Sequence, residues 1–357
     1  MKLSEEVRRR YDIIGFDLRG AGRSSPVSCG LTAEEQAAPP YKAETFAKDV
    51  ERARTVAGKC EAEAGAELPH LTTRNAARDM DVIRAALGEQ KISFLGISYG
   101  TCPGAVYTQL FPQRADRFVL DSATGPTRVY RGMFQDMAKA DEQAFTRWTR
   151  WTAQRHAVYG LGRTPAEVRE TFRALIARAD RAPIHADGQP LTGDDIRADN
   201  RTSIHVRKAA ERIAALKKAA EGGDPGTPRR AREPEENDDN YIAIAWSFMC
   251  AGTRTWPHDP ERYRRDAIRD KARYPLYGDF AAAITPCAFW KQGGEPQTTI
   301  DNKVAALTVQ NAWDSRTPLF AAQALHGSRM LTVTDGEGHG ALGADPVPAR
   351  TRTRRPA

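Results

Sequence analysis

Short apolar runs alternate along the chain with stretches whose hydrophobic residues recur at helical spacing. Residues 11–18, YDIIGFDL, form one such run, closed by Arg19-Gly20-Ala21-Gly22-Arg23. This predicts a buried parallel strand with a glycine-rich exit. Residues 41–64 read as helical. Within residues 73–87 Ala76, Met80, Ile83 and Leu87 share one helical face, and Gly88 follows as a stop. A strand is predicted over 92–96, a turn at Ser98, a helix over 99–110 and a strand over 117–121 that ends in a Pro-containing loop. This alternation points to an α/β fold, a mostly parallel sheet with crossover helices.

The pattern changes at residue 128. Residues 128–275 are rich in Arg, Ala, Glu and Trp, with helical periodicity and few strand signals, and are read as a helical insertion. Inside them, residues 221–240 are polar and rich in Gly, Pro and Asp, which predicts a flexible loop. Strand character returns at 304–310 and 329–334. The chain therefore divides into a first core segment (1–127), the insertion (128–275), a second core segment (276–345) and a Pro- and Arg-rich tail (346–357) expected to be disordered.

At 357 residues the chain fits one large domain with an insertion, or two domains. The formal charge is +7, but four arginines lie in the last eight residues and the others alternate with acids along helical stretches. A solvated surface with a basic tail explains this better than a nucleic-acid partner. There is no run of about eighteen apolar residues to span a membrane. The opening MKLSEEVRRR lacks the apolar core of a signal peptide. Five cysteines occur without a C-x-x-C pair, so they read either as buried thiols or as two disulfides and a spare.

The chemistry centres on Gly96-Ile97-Ser98-Tyr99-Gly100, a G-x-S-x-G sequence between a predicted strand and a predicted helix. A serine on such a tight, strained turn projects its hydroxyl above the sheet. The following helix N-terminus favours negative charge, and the Tyr99 backbone N–H is the candidate oxyanion donor. A serine hydroxyl needs a base, and the base needs an orienting carboxylate. In this kind of fold the order along the chain is serine, acid, histidine, each after a strand. Asp314 follows the run VAALTVQNAW, and His339 follows MLTVTD inside Gly336-Glu337-Gly338-His339-Gly340. A helix over 320–325 would separate the two strands. Asp121 and Asp335 are alternative acids. His70, His156, His185, His205, His258 and His326 lack comparable surroundings and read as surface or cap residues. The chemistry calls for no metal or organic cofactor.

Taken together, YDIIGFDLRGAGRSSPVSC, LGISYGTCPGAVYTQLFP, FVLDSATGP, PCAFW, DSRTP at 314–318 and GHG at 338–340 resemble the secreted tripeptidyl and prolyl aminopeptidases of actinobacteria. These are α/β-hydrolase fold serine peptidases with a helical cap. The resemblance implies that Ser98 attacks a peptide carbonyl near a free N-terminus, that His339 is the base, that Asp314 orients it, and that an acyl-enzyme forms. It implies disulfides Cys29–Cys60 and Cys250–Cys287, an oxidising, extracellular setting, a monomer and a peptide partner. An acidic cap residue would hold the substrate amine; Glu233, Glu235, Glu236, Asp238 and Asp239 qualify by their acidity alone, and a solvated loop is the better reading of them. The chain also departs from that family. It starts ten residues before Tyr11, so the N-terminal strands and the His-Gly-Gly-type loop that supplies a second oxyanion donor are missing. Pro103 falls early in the elbow helix, Cys102 stands where relatives carry an aromatic residue, and no final helix follows His339. An esterase or lipase on the same scaffold, or a truncated inactive relative, are the alternatives these features raise.

Overall fold

The computed structural model describes residues 3–36, 41–125, 128–186, 188–199, 206–223, 238–252, 255–291, 295–322, 328–342 and 351–354. Two short helices, α1 (Glu5–Arg10) and α2 (Ala33–Gln36), precede the long α3 (Phe46–Ala64). Phe46, Ala53, Val56, Ala57, Cys60 and Ala64 return to one face of α3 every few residues, and that face is buried. The next helix, α4 (Thr73–Ala86), starts where the Thr72 hydroxyl accepts the Asn75 N–H at 3.2 Å, and it buries Ala76, Ala77 and Met80.

The sheet begins with β1 (Ile92–Ile97), followed by α5 (Thr101–Leu110) and β2 (Ala115–Asp121). A long helical segment follows: α6 (Arg131–Ala153), α7 (His156–Tyr159), α8 (Pro165–Arg181), the small hairpin β3 (Ile184–Ala186) and β4 (Gln189–Leu191), α9 (Gly193–Asp199), α10 (Val206–Ala220), α11 (Asp238–Ala251) and α12 (Pro260–Arg273). The chain then returns to the sheet as β5 (Ala306–Trp313), α13 (Leu319–Ala322), β6 (Arg329–Glu337) and β7 (Thr351–Arg354). The strand order is β1-β2-β5-β6-β7; the first four run parallel and β7 pairs antiparallel to β6.

Three apolar clusters hold these elements. Met80, Tyr107, Phe118 and Leu120 join α4 and α5 to one face of the sheet. Phe145, Trp148, Phe172, Ile213, Leu216 and Tyr277 form a second core wholly within the helical segment and its exit. The third gathers α3 and the loop around Cys29 with Phe248 of α11, Tyr263 of α12 and Trp290. The helical layer therefore draws on residues before 128 as well as on the predicted insertion. Both disulfides lie in this third cluster: Cys29 bonds to Cys60 and Cys250 to Cys287, and all four residues are buried. Cys102 is a free thiol.

The structure corrects two expectations, and two more fall partly outside the described residues. Residues 11–18 form no strand; Ile13 and Ile14 are 52% and 53% exposed. An apolar run becomes a strand only where a neighbour accepts its ladder hydrogen bonds, and among the described residues none pairs with this one. Within the tail expected to be disordered, Thr351–Arg354 form β7, which pairs antiparallel with β6. The helix expected over 320–325 is α13, which ends at Ala322; residues 323–327 lie outside the described residues. Of the loop expected over 221–240, residues 224–237 lie outside the described residues, and Asp238 already starts α11.

The two disulfides close chain separations of 31 and 37 residues. By restricting the unfolded chain, each should contribute about 3–4 kcal/mol. Thermal unfolding with and without reductant should therefore show a melting temperature lower by several degrees after reduction; an unchanged transition would count against this contribution.

Candidate active site

β1 delivers Ser98 to the rim of the sheet through a backbone that leaves the strand abruptly. Ser98 has φ +58°, the left-handed region that costs a residue with a Cβ about 1–3 kcal/mol. The turn is held from both sides. The Thr101 hydroxyl donates to the Ser98 carbonyl at 2.7 Å, and the chain passes through a short 3-10 turn, Ser98–Gly100, into α5. A Cβ on Gly96 would stand 2.3 Å from the Gly100 carbonyl oxygen, and one on Gly104 2.5 Å from the Phe94 ring. Gly96 and Gly104 are thus what let helix and strand close on each other, whereas a Cβ on Gly100 would meet open space. Pro103 is the third residue of α5, where its missing N–H would have no intrahelical partner anyway.

The residue after the serine is anchored through its ring. Tyr99 Oη lies 3.1 Å from Thr73 Oγ1, which is 3.2 Å from Tyr130 Oη. The Tyr99 ring meets Phe248 edge-on at 5.7 Å between centroids. Tyr99 is the second residue of the turn that begins at Ser98.

Asp314 and His339 meet although 25 residues separate them: His339 Nδ1 lies 2.9 Å from Asp314 Oδ2. Asp314 follows the last residue of β5 and is 3% exposed. Its Oδ1 accepts the N–H groups of Arg316 (2.8 Å) and Thr317 (3.1 Å), and its Oδ2 accepts the Thr317 hydroxyl (2.8 Å) and Gln310 Nε2 (3.3 Å). Burial alone would raise this carboxyl, but the hydrogen bond and charge of His339 and the two Thr317 donors outweigh it and hold it below the ordinary carboxylate range.

His339 sits in a loop tied to two strands. Gly340 N–H donates to Ser122 Oγ at 2.9 Å, Ala341 N–H to Asp121 Oδ1 at 2.8 Å and Leu342 N–H to Asp121 Oδ2 at 2.7 Å. From the other side Asn311 Nδ2 donates to the Gly338 carbonyl at 3.1 Å. Ile97 and Asp121 are partners in the β1–β2 ladder, so the loop is attached one strand away from Ser98. No described hydrogen bond joins the Ser98 hydroxyl to His339.

Several residues that the sequence offers as candidates take other places. Asp121, an alternative acid, binds backbone amides and not the imidazole; Asp335 is exposed. Asp239, a candidate for the substrate amine, is consumed internally: it accepts the Cys29 and Leu31 N–H groups at 3.0 Å each and the Ser28 hydroxyl. Carboxylate and loop amides satisfy each other there, so Asp239 staples residues 28–31 to α11. Glu233, Glu235 and Glu236 lie outside the described residues, as does the side chain of Asp238. Cys102 Sγ lies 2.8 Å from Thr124 Oγ1, and burial pushes its thiol up to about 11, which keeps it protonated and unreactive. A small cavity of about 50 Å³ beside it is lined by Thr73, Thr101, Thr124 and Tyr130, and not by Ser98, Asp314 or His339. Sequence reasoning missed the supporting roles of Asn311, Thr317 and Ser122; only Thr317, three residues after an aspartate, carried a local signal, that of an Asp-headed turn.

Residues 1–178 match the family model described as alpha/beta hydrolase fold, and residues 274–351 match the one described as TAP-like protein. The chain is 34% identical over 359 residues to a tripeptidyl aminopeptidase of Streptomyces lividans, covering 94% of this chain and 66% of that protein. The figures for the tripeptidyl aminopeptidase of Streptomyces coelicolor are 34%, 94% and 65%. The serine protease Hip1 of Mycobacterium tuberculosis is 35% identical over 181 residues, which cover 49% of this chain and 35% of that protein. The chain thus spans less than two thirds of the length of the Streptomyces relatives. With a parallel sheet, a left-handed serine after β1 and an aspartate–histidine pair after β5 and β6, this chain belongs to the α/β-hydrolase fold family, its C-terminal part being of the TAP-like kind.

Proposed function

We propose that this chain is a serine hydrolase that cleaves short segments from peptide N-termini through an acyl-enzyme on Ser98. The observation that carries the reading is the hydrogen bond between the buried Asp314 and the half-buried His339, held by a loop bonded to the strand beside Ser98. Asp314 accepts the hydrogen bond of the His339 Nδ1–H, which leaves the lone pair on Nε2 to remove the Ser98 hydroxyl proton as the oxygen attacks a peptide carbonyl. The Tyr99 N–H donates to the oxyanion that forms. Collapse breaks the C–N bond, and His339 gives its proton to the leaving amine. A water then repeats the sequence on the ester and returns the Ser98 hydroxyl.

The peptide substrate is supported by the similarity to proteins named as tripeptidyl aminopeptidases. The segment between β2 and β5 acts in this reading as a cap that limits how many residues fit before the scissile bond. Two disulfides support an oxidising, extracytoplasmic location. Among the described residues no helix is long and apolar enough to cross a membrane.

A fluorophosphonate probe should label the folded protein at Ser98, with Ser98→Ala unlabelled; peptide mapping checks the site, and a folded protein that stays unlabelled sinks the reading. Tripeptidyl and aminoacyl nitroanilides should be cleaved in preference to p-nitrophenyl esters; hydrolysis of esters alone would instead indicate an esterase.

Asp314→Asn should lower kcat by about four orders of magnitude, because the amide holds the wrong imidazole tautomer. Its effect on stability carries a sign. The folded-state carboxyl titrates below its unfolded value of about 3.9. The Asp314 contribution is therefore complete above that pH and disappears as the pH falls through the folded value. Urea midpoints of parent and variant should differ at pH 7 and converge below about pH 4.

A further inference from the structure

We infer that Asp121, seconded by Ser122, is a positioning residue for His339: it sets where the imidazole stands relative to Ser98, while Asp314 sets which way the ring turns. The inference rests on the reading of Ser98 and His339 as nucleophile and base.

The loop that carries His339 is bound by complementary halves. On the β2 side every partner is an acceptor: Asp121 Oδ1 and Oδ2 take the Ala341 and Leu342 N–H groups at 2.8 and 2.7 Å, and Ser122 Oγ takes the Gly340 N–H at 2.9 Å. On the β5 side the partner is a donor, Asn311 Nδ2, facing the carbonyls of Glu337 (3.4 Å), Gly338 (3.1 Å) and Gly340 (3.5 Å). Asp121, Ser122 and Asn311 are 0%, 0% and 2% exposed. The approach is close, since a Cβ on Gly336 would stand 2.1 Å from Asn311 Oδ1. Gly338 and Gly340, at φ +84° and +87°, bend the loop so that its amides face one strand and its carbonyls the other.

A surface loop could satisfy three amides with water. Here a buried carboxylate takes two of them and the Ser122 hydroxyl oxygen the third, and among the described residues no cation pairs with the carboxylate, whose donors are the two loop amides and the Ser122 hydroxyl at 3.2 Å. Charge-assisted bonds in a dry setting tolerate little displacement. The same β2 end is registered against β1. Ile97 pairs with Asp121, and the residues that follow, Ser98 and Ser122, both take left-handed backbones, φ +58° and +53°. The strand that ends in the nucleophile and the strand that holds the base's loop therefore leave the sheet at one level. Among the described residues Asp121 is hydrogen-bonded to neither the imidazole nor the Ser98 hydroxyl; it acts through the backbone of residues 341 and 342, and Ser122 through that of Gly340.

The test uses the full chain with Asp121→Asn and Ser122→Ala. The first is isosteric and places an NH2 against one of the loop amides; the second removes the acceptor for Gly340 together with the weak 3.2 Å hydroxyl donor to Asp121. A misplacement on the order of 1 Å costs about a hundredfold in rate. Asp121→Asn should slow fluorophosphonate labelling and kcat by about that factor with KM little changed, Ser122→Ala less so, and both should keep a cooperative thermal transition. A folded Asp121→Asn with parental labelling and kcat, or with a loss confined to KM, overturns the inference. Should Asp121→Asn not fold, Ser122→Ala is judged by the same split. The low-field proton resonance of His339 Nδ1 gives a readout that needs no turnover: a shift or broadening in Ser122→Ala supports the assignment, and an unchanged resonance overturns it. If the parent itself resists labelling, the nucleophile reading falls, and this resonance alone decides the positioning claim.

Discussion

Parallel pairing of β1, β2 and β5 places Ile97, Asp121 and Val309 in one row across the sheet. Everything in the candidate site is measured from that row. Ser98 is one residue beyond it on β1. Asp121 lies in it and holds the loop of His339. Asp314 is five residues beyond it, past the end of β5. In a parallel sheet, strand ends that share a register share a rim, so groups distant in sequence are delivered to the same end of the sheet without any of them needing a long reach. The cost is local. Ser98 and Ser122 each leave the row in a left-handed conformation that disfavours a residue with a Cβ, and such backbones persist only where the surroundings over-determine them. Here the surroundings are Gly96 closing on Gly100, the Thr101 hydroxyl on the Ser98 carbonyl, and the Gly340 amide on the Ser122 hydroxyl.

What was legible in the sequence follows from how local each signal is. The elbow announces itself within nine positions, Gly96 to Gly104, because its geometry is made by neighbours in the chain. Asp314 and His339 could be picked out by order and by the strands before them. The use of Asp121 could not, since its partners are the backbone amides of residues 341 and 342, which carry no side-chain signature. The same holds for Asp239: its acidity suggested a substrate amine, yet its partners are amides of residues 29 and 31. Residues 11–18 show the converse failure. Their hydrophobicity matches a strand, but strandedness belongs to a pair, and no partner is present among the described residues. The pairing of the cysteines likewise follows only once the resemblance is in hand, because five thiols by themselves leave the connectivity open.

The helical segment is not a passive cover. α6 starts against the cluster that holds both disulfides and buries Phe145 and Trp148 in the helical segment's own core, yet its side chains also reach the sheet rim. Asp141, 1% exposed, accepts the hydroxyl of Ser315, the residue after Asp314, at 2.8 Å. Arg147 stacks over Trp313, the residue before Asp314, at 4.2 Å, and lies 3.8 Å from a carboxylate oxygen of Glu337, two residues before His339. One rigid helix is therefore bonded to the acid's loop on both sides of Asp314 and to the strand end that launches His339. Close-packed interiors transmit displacement instead of absorbing it. A shift of α6 would pull on Trp313, Ser315 and Glu337 together, so the geometry of the Asp314–His339 pair is tied to the position of this helix.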